Sequence, residues 1–430
     1  MPDEASLRAE ALQSVSKGHN GLLDPALLPD GQMSRLHNVV VRNGLAESRP
    51  RLVGEALPVQ GRFQGAFVYE LEDAVRWVVV VSGQVWVHNL ATSAWKKVYT
   101  FPTAGFEQAF FCQAESYCVV QNGVYDPVEN WPAIISGDDL FDNLAVDFIQ
   151  GDHIDTVAGY NPGNYNSSGD WEPPDPQLAG EPSKYRVPIG KAMAYGQGRL
   201  FVAVERYWDD GSSSGRDPGW VTGTGLRQVL ASDDYRWDDT ERMLVFTETY
   251  VLTGGGALSL PSENGFITAM SFFRNASTGT GLGELMVLSR RGSTMFAVSV
   301  QRGGAENQWG AAGFGQQLFQ SSGSASPWSV AAVNADLVYY GDGGLRTIKY
   351  SASNETSAGG LASSPLSPEV TNYTAATLEE HEPYVTTALA DNYLFFTAGG
   401  TVLTDGSVAF TDLLPWDLVN FQVSGEQPAR

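Results

Sequence analysis

The chain has 430 residues, 43% hydrophobic, 11% aromatic and 17% charged, with 49 Asp and Glu against 26 Lys and Arg and a formal net charge of −23. That much apolar and aromatic material builds a large core and excludes wholesale disorder. A surface this acidic repels phosphate backbones, which excludes a broad basic face for gripping nucleic acid.

No apolar run approaches the roughly 18 residues of a spanning helix, so no membrane association is expected. The opening MPDEASLRAE is charged and lacks an apolar segment, and reads as a chain without a signal peptide. Cys112 and Cys118 are the two cysteines. Six extended steps would separate them by roughly 20 Å, too far to bridge unless the chain turns between them, so reduced, packed thiols are expected.

In chain order, residues 1–17 have helical character: Asp3 can cap, and Leu7, Ala11, Leu12 and Val15 fall near one face. The following stretch to Leu52 is rich in Gly, Pro, Asn and Asp. It predicts an extended arm with a short strand at 39–41, a turn at Asn43-Gly44 and a second short strand. Arg35, Arg42, Arg49 and Arg51 concentrate there. They make either a solvated loop face or a docking surface for an acidic neighbour.

From about residue 63 the pattern becomes short β-branched and aromatic runs divided by Gly turns, the signature of an all-β fold. Hairpins are predicted at 76–89 around Ser82-Gly83, at 116–127 around Asn122-Gly123, and at 198–207 with a mate near 227–234. Others follow at 283–300, 335–350 and 391–410. Their starts recur about every 63 residues, longer than a minimal propeller blade of roughly 40 to 50. Two inserts absorb the excess: 136–185, with ten acids and a single Lys, and 207–227. The pattern predicts a β-propeller of about six irregular blades with an extended N-terminal arm, because each small twisted sheet buries its faces only against its neighbours. The other reading is a two-sheet sandwich with large insertions. The expected domains are a docking arm at 1–62, a propeller at 63–415 and a C-terminal tail at 416–430. The 136–185 insert is expected to be the most protease-sensitive internal segment of unassembled protein.

The five histidines, His19, His37, His88, His153 and His381, are scattered singly, with no HExxH or CxxC partner. A transition-metal site is therefore not expected. Nor is there a P-loop, a dinucleotide fingerprint or a GxSxG elbow, so no cofactor is expected. The loops at 341–344 and 233–239 offer oxygen ligands for Ca²⁺, but a tight turn at Asp342-Gly343 accounts for the first without an ion.

SDDYRW at 232–237 is distantly like the Asp-box turn of sialidase propellers, in which a Trp packs beneath a braced hairpin. A sialidase would need convergent arginines and a Tyr nucleophile supported by an acid; Arg199, Arg290, Arg291, Arg346 and Tyr339 supply the residue types only. Of the 11 tryptophans, Trp77, Trp86, Trp95, Trp309 and Trp328 sit in or near predicted strands and read as core. Trp171 and Trp220 lie in polar loops and read as partner contacts.

Several stretches carry a resemblance. LLPDGQMSRLHNVVVRNGLAESRPRL (27–52) resembles the opening of many tailed-bacteriophage virion proteins. VPIGKAMAYGQGRLFVAV (187–204) with ASDD (231–234) is similar to a mid-chain blade of the same proteins, and ADLVYYGDGGLRTIKY with SPLSPEV (364–370) to a later blade and linker. These are the tail hub or nozzle proteins, also called packaged-DNA stabilisation proteins. The resemblance implies a virion protein of the tail or neck, made in the host cytoplasm and without catalysis. It implies a homo-oligomeric ring of six copies around the DNA channel, contacting portal, adaptor or other tail proteins and passing DNA transiently. The acidic insert is unusual for the family. The competing expectation is a glycan-active, sialidase-like enzyme or a glycan-binding host adhesin.

Overall fold

The computed structural model describes residues 39–42, 45–48, 56–102, 108–124, 132–137, 140–144, 146–147, 164–165, 171–172, 187–204, 206–209, 219–222, 228–232, 235, 237, 240–244, 246, 257–260, 264–273, 284–290, 292–296, 315–319, 323–333, 336–341, 344–348, 380–390, 393–398, 401–402, 408–409 and 412–417. The predicted helix at 1–17 lies outside them. The chain forms two compact units: a central one, residues 57–323, and a terminal one, residues 1–56 with 324–430.

The terminal unit holds the predicted arm hairpin, β1 (Val39–Arg42) and β2 (Leu45–Ser48), which closes at Arg42↔Leu45 around Asn43-Gly44. The central unit holds four antiparallel meanders. The first sheet is β3 (Phe63–Glu70), β4 (Val75–Val81), β5 (Gln84–Asn89) and β6 (Ala94–Thr100). The second is β7 (Phe110–Ala114), β8 (Tyr117–Gln121), β9 (Ala133–Ser136) and β10 (Val146–Asp147), followed by a separate hairpin, β11 (Asn164–Tyr165) and β12 (Trp171–Glu172). The third begins with β13 (Gly190–Gly196) and β14 (Arg199–Val204). A hairpin of β15 (Arg206–Asp209) and β16 (Gly219–Thr222) then interrupts it before β17 (Gln228–Ala231) and β18 (Ala257–Ser259). The fourth is β19 (Ile267–Phe273), β20 (Glu284–Ser289), β21 (Ser293–Phe296) and β22 (Gly315–Phe319).

Local sequence explains these strands. The run VRWVVVV of β4 is β-branched almost throughout, and the turn after it puts Ser82 at φ 48° and Gly83 at φ 78°, the pair of left-handed residues that a tight hairpin requires. On one face, Val78, Val80, Val85 and Val87 pack with Cys118, Val120, Ala133 and Ile135 of the second sheet. Each such valine is stabilised by roughly 1.5 to 3 kcal/mol through burial. A second core joins the third and fourth sheets through Phe201, Ala203, Val229, Ile267, Leu285 and Val287.

The four sheets are arranged as blades. The first strands β3, β7, β13 and β19 pack one against the next and run in the same direction. Ala109, just before β7, donates its N–H to the Gln64 carbonyl at 2.8 Å, while Gln113 near the end of β7 bonds the Glu70 backbone at the end of β3. Phe272, late in β19, lies where a Cβ on Gly196, late in β13, would sit only 2.5 Å from its ring. Sheets fanned out by parallel inner strands define a propeller-type, all-β architecture.

The rest of the terminal unit continues the pattern. One sheet is β23 (Ala331–Val333), β24 (Asp336–Gly341) and β25 (Gly344–Thr347). The next is β26 (Thr387–Ala390), β27 (Tyr393–Ala398) and β30 (Asp412–Asp417), with a small hairpin of β28 (Thr401–Val402) and β29 (Val408–Ala409) between β27 and β30. Val338, Tyr340, Leu345, Val385, Leu394 and Phe396 form their shared core.

Two hairpins differ from expectation. Asn122-Gly123 does not reverse β8: the reversal is at Glu115-Ser116, and β8 pairs with β9 at Ala133–Ser136. Asn122 Oδ1 instead accepts the Val124 N–H at 3.0 Å, a local Asx turn that leads the chain out of the sheet. In the last unit, the mate of β27 is β30, beyond the predicted 391–410. The 136–185 insert contributes β10 and the buried Leu144 to the second sheet at its start.

Candidate functional site

Because the inner strands of the central unit run alike, its turns fall at two ends. One end gathers the β3–β4 turn, the β7–β8 turn, the β13–β14 turn and the segment after β17. These turns are stitched together: Tyr69 Oη donates to the Ser116 carbonyl, Gly137 N–H to the same oxygen at 2.7 Å, and Tyr195 Oη to Glu115 Oε1 at 2.6 Å. The Tyr235 N–H donates to the Gly198 carbonyl at 2.8 Å, and the Tyr117 and Thr240 hydroxyls meet at 3.3 Å.

This rim is acidic and studded with apolar side chains. Glu70, Glu72, Asp73, Glu115 and Asp142 are exposed on it. Trp237 is 86% exposed, Leu140 73% and Tyr235 36%. Among the described residues its cations are occupied by backbone or buried: Lys96 Nζ donates to the Asp142 carbonyl, Arg199 donates to the Ser232 carbonyl at 2.7 Å, and Arg76 is buried. The exposed surface can therefore offer negative charge and flat hydrophobic contacts together, a combination that favours a basic or amphipathic protein partner.

The rim's Tyr195 phenol and the two thiols buried within the second sheet are held in their protonated forms. Burial, then the hydrogen bond to Glu115, raises the Tyr195 phenol far above its ordinary range, so it stays a donor to that carboxylate. Burial pushes the Cys112 thiol up to about 12, and burial together with the charge on Cys112 raises Cys118 as well. Both cysteines are free, as expected. The chain does turn between them, but Cys112 stands opposite Val119 and Cys118 opposite Gln113, so they face opposite sides of the sheet.

Trp237 corrects the Asp-box comparison. Ser232 braces the hairpin as that turn would, its Oγ accepting the Leu200 N–H at 2.8 Å and its N–H donating to the Leu200 carbonyl at 2.8 Å. The Trp, however, points to solvent rather than packing beneath. The signal lay in the sequence: in DDYRWDD the indole is flanked by four aspartates, whose burial would cost far more than its own exposure.

The other residues singled out by sequence are placed as follows. Arg42 is the last residue of β1; Arg35, Arg49 and Arg51 lie outside the described residues. Trp171 begins β12 opposite Tyr165, and Trp220 lies in β16 opposite Trp208; the side chains of these two tryptophans and of Arg42 lie outside the described part. Trp77 and Trp95 flank the buried His88 across three strands, with ring centroids 5.7 and 4.3 Å away. Arg199 and Arg290 fall at opposite ends of the central unit and do not converge. Arg346, in the terminal unit, is buried opposite Tyr339 and donates to the Gly341 carbonyl at 3.0 Å. The β24–β25 hairpin closes at Gly341↔Gly344, where the Asp342-Gly343 turn was predicted. Among the described residues no group of three or more His, Cys, Asp or Glu side chains is placed to hold a metal ion, and no helix is long and apolar enough to cross a membrane.

No protein-family model matches the chain, and no curated protein does. Solved structures similar to it include BBS1N in complex with ARL6DN, at 11% identity and TM-score 0.32 over 71% of this chain and 69% of that one. A chain of the mitotic checkpoint complex aligns at 8% identity and TM-score 0.34 over 86% and 90%. Apo AztD from Citrobacter koseri aligns at 9% identity and TM-score 0.33 over 85% and 73%. Likenesses this weak say nothing about what the chain binds.

Proposed function

We propose that this chain is a non-enzymatic structural subunit of a tailed-phage virion, part of a ring around the DNA channel at the head-to-tail connection or tail hub, helping to retain packaged DNA. The observation that carries the reading is the chemistry of the acidic rim. Its Tyr195 phenol and Arg199 guanidinium are committed to internal hydrogen bonds, whereas its described solvent face presents carboxylates, Trp237 and Leu140, groups suited to assembly. The stretches at 27–52, 187–204 and 335–350 support the phage assignment. A −23 subunit repeated in a ring lines its passage with charge of the same sign as DNA, so the duplex slides without sticking. The arm, with Arg35, Arg42, Arg49 and Arg51, suits contact with an acidic neighbour, and Trp171 and Trp220 suit contact with portal, adaptor or other tail proteins.

The exposure of Trp237 beside Tyr235 favours one second reading, a glycan-binding propeller that stacks sugar rings on its indole. Native mass spectrometry of the recombinant chain and copy counting in purified virions separate the two. A ring-sized oligomer, with six or twelve copies per particle, supports the structural reading. A strict monomer absent from particles overturns it, and sugar-dependent quenching of Trp237 emission supports the second.

A further inference from the structure

Among the described residues, Trp237 at 86% and Leu140 at 73% are the most exposed large hydrophobic side chains, and both flank the β7–β8 turn. Gly137, three residues before Leu140, donates its N–H to the Ser116 carbonyl at 2.7 Å; Thr240, three residues after Trp237, brings its hydroxyl to 3.3 Å from that of Tyr117. Tyr235 is tied to the neighbouring β13–β14 turn by its N–H on the Gly198 carbonyl at 2.8 Å. Blade packing therefore gathers apolar groups from separate loops onto one rim and leaves them in water, where contact with a partner is favourable.

The partner has to match the rim's charge as well. Residues 70–73, 115–116, 137–144, 196–199 and 232–240, which make up these turns, hold eleven acids against Arg199 and Arg236, and Arg199 is buried on the Ser232 carbonyl. The β19–β20 turn adds one of each sign, Arg274 and Glu284. This excess is set by the sequence of the turns and holds for every arrangement of their side chains. Residues 31–52 of the same chain reverse the balance, with Arg35, Arg42, Arg49 and Arg51 against Glu47 alone. They also carry the apolar run Val39 to Val41, and their hairpin closes at Arg42↔Leu45, with Arg42 beside its turn.

We infer that residues 31–52 of one copy dock on the acidic rim of a second copy of this chain. Their arginines meet the carboxylates around Glu72 and Asp73, and their apolar residues cover Trp237 and Leu140. The exposure of those two side chains means that their own chain leaves them uncovered, so the segment is donated between copies. Donor and acceptor surfaces differ, and such a heterologous contact closes into a ring or extends into a filament according to its rotation. The inference rests on, and deepens, the oligomeric reading above.

Sedimentation velocity of the full chain over a range of concentration tests it, at about 50 mM and about 1 M salt, since a charge-matched contact weakens as screening shortens. The arm variant carries Arg35→Glu, Arg42→Glu, Arg49→Glu and Arg51→Glu, and the rim variant Glu72→Lys, Asp73→Lys and Trp237→Ala, all at exposed rim side chains. Wild type is expected to associate, less so in high salt, and each variant alone to associate about tenfold more weakly or worse. Mixed, the two are expected to form a heterodimer, one supplying the rim and the other the arm. A fluorescein-labelled peptide of residues 31–52 is expected to bind the arm variant, and to lose about tenfold or more in affinity when the rim substitutions are added to it. A monomeric wild type, association that survives either variant, a mixture that stays apart, or a peptide indifferent to the rim substitutions overturns the inference. Ring-sized copy number in virions with indifference to both variants ends this inference and leaves the structural reading standing; arm-to-rim association in a protein absent from virions does the reverse.

Discussion

The side chain of Gln121 reaches from the end of β8 to the next sheet, where its Oε1 accepts the Gly190 N–H at 2.7 Å and its Nε2 donates to the Pro188 carbonyl at 3.1 Å. Gln121 is buried, so one amide satisfies two backbone groups that have no water to turn to. Replacing it with Ala leaves those groups unpaired, and Gln121→Ala is expected to cost about 1 to 3 kcal/mol in urea unfolding. Gln113→Ala, which removes a more exposed bridge to the Glu70 backbone, is expected to cost about 1 kcal/mol or less. Equal losses at the two positions would mean that burial does not set the strength of these inter-sheet links.

Gly196 has its own role in blade packing. A Cβ there would lie 2.5 Å from the Phe272 ring, and at Gly65 it would lie 2.8 Å from Phe111, so in two places a glycine of one inner strand admits a phenylalanine of the next. Gly196→Ala is expected to destabilise by about 1 to 3 kcal/mol through overpacking. Phe272→Leu in the same chain is expected to recover part of the loss, read as a coupling energy in a double-mutant cycle. Additive losses would show that the contact is not shared.

The hairpins were legible where composition and turn chemistry agreed. Around Ser82-Gly83 two strands of alternating valines leave no other reading, and the mate of β14 was found across a 23-residue gap because RQVLASDD is apolar at the right spacing. Asn122-Gly123 misled because the same dipeptide also makes an Asx turn that leaves a sheet. Only the tertiary fit of Gly123 beside Lys191 and Phe110 decides between the two. The rim was not legible, since its members come from turns as far apart as Glu70 and Trp237 and meet only when the blades stack.

Ser232 and Trp237 separate bracing from contact within one short segment. Ser232→Ala removes the acceptor of the buried Leu200 N–H and is expected to cost about 1 to 3 kcal/mol. Trp237→Phe is expected to change stability by no more than about 0.5 kcal/mol, because the indole is in solvent. It should remove the component of tryptophan fluorescence that iodide quenches most readily. Unchanged quenching would place Trp237 against protein.

The buried thiols make the unit sensitive to alkali. In the folded chain Cys112 titrates near 12, against about 9 when exposed, and Cys118 is shifted in the same direction. Below pH 9 both states keep the proton and the thiols do not affect stability. Above it the unfolded chain releases protons that the folded chain retains, so stability is expected to fall steadily from about pH 9 to about pH 12. Tyr195, raised by burial and by Glu115, adds to the slope above about pH 10, where an ordinary phenol ionises. Urea titrations at pH 8, 9.5 and 11 on the wild type and on Cys112→Ala with Cys118→Ala measure the effect. The double variant is expected to begin less stable at pH 8 and to lose less on going to pH 11. Native protein is expected to resist alkylation by iodoacetamide at pH 8, since neither thiol forms appreciable thiolate there. Parallel slopes for the two proteins, or alkylation at the rate of a free cysteine, would contradict the assignment of the alkaline loss to these groups.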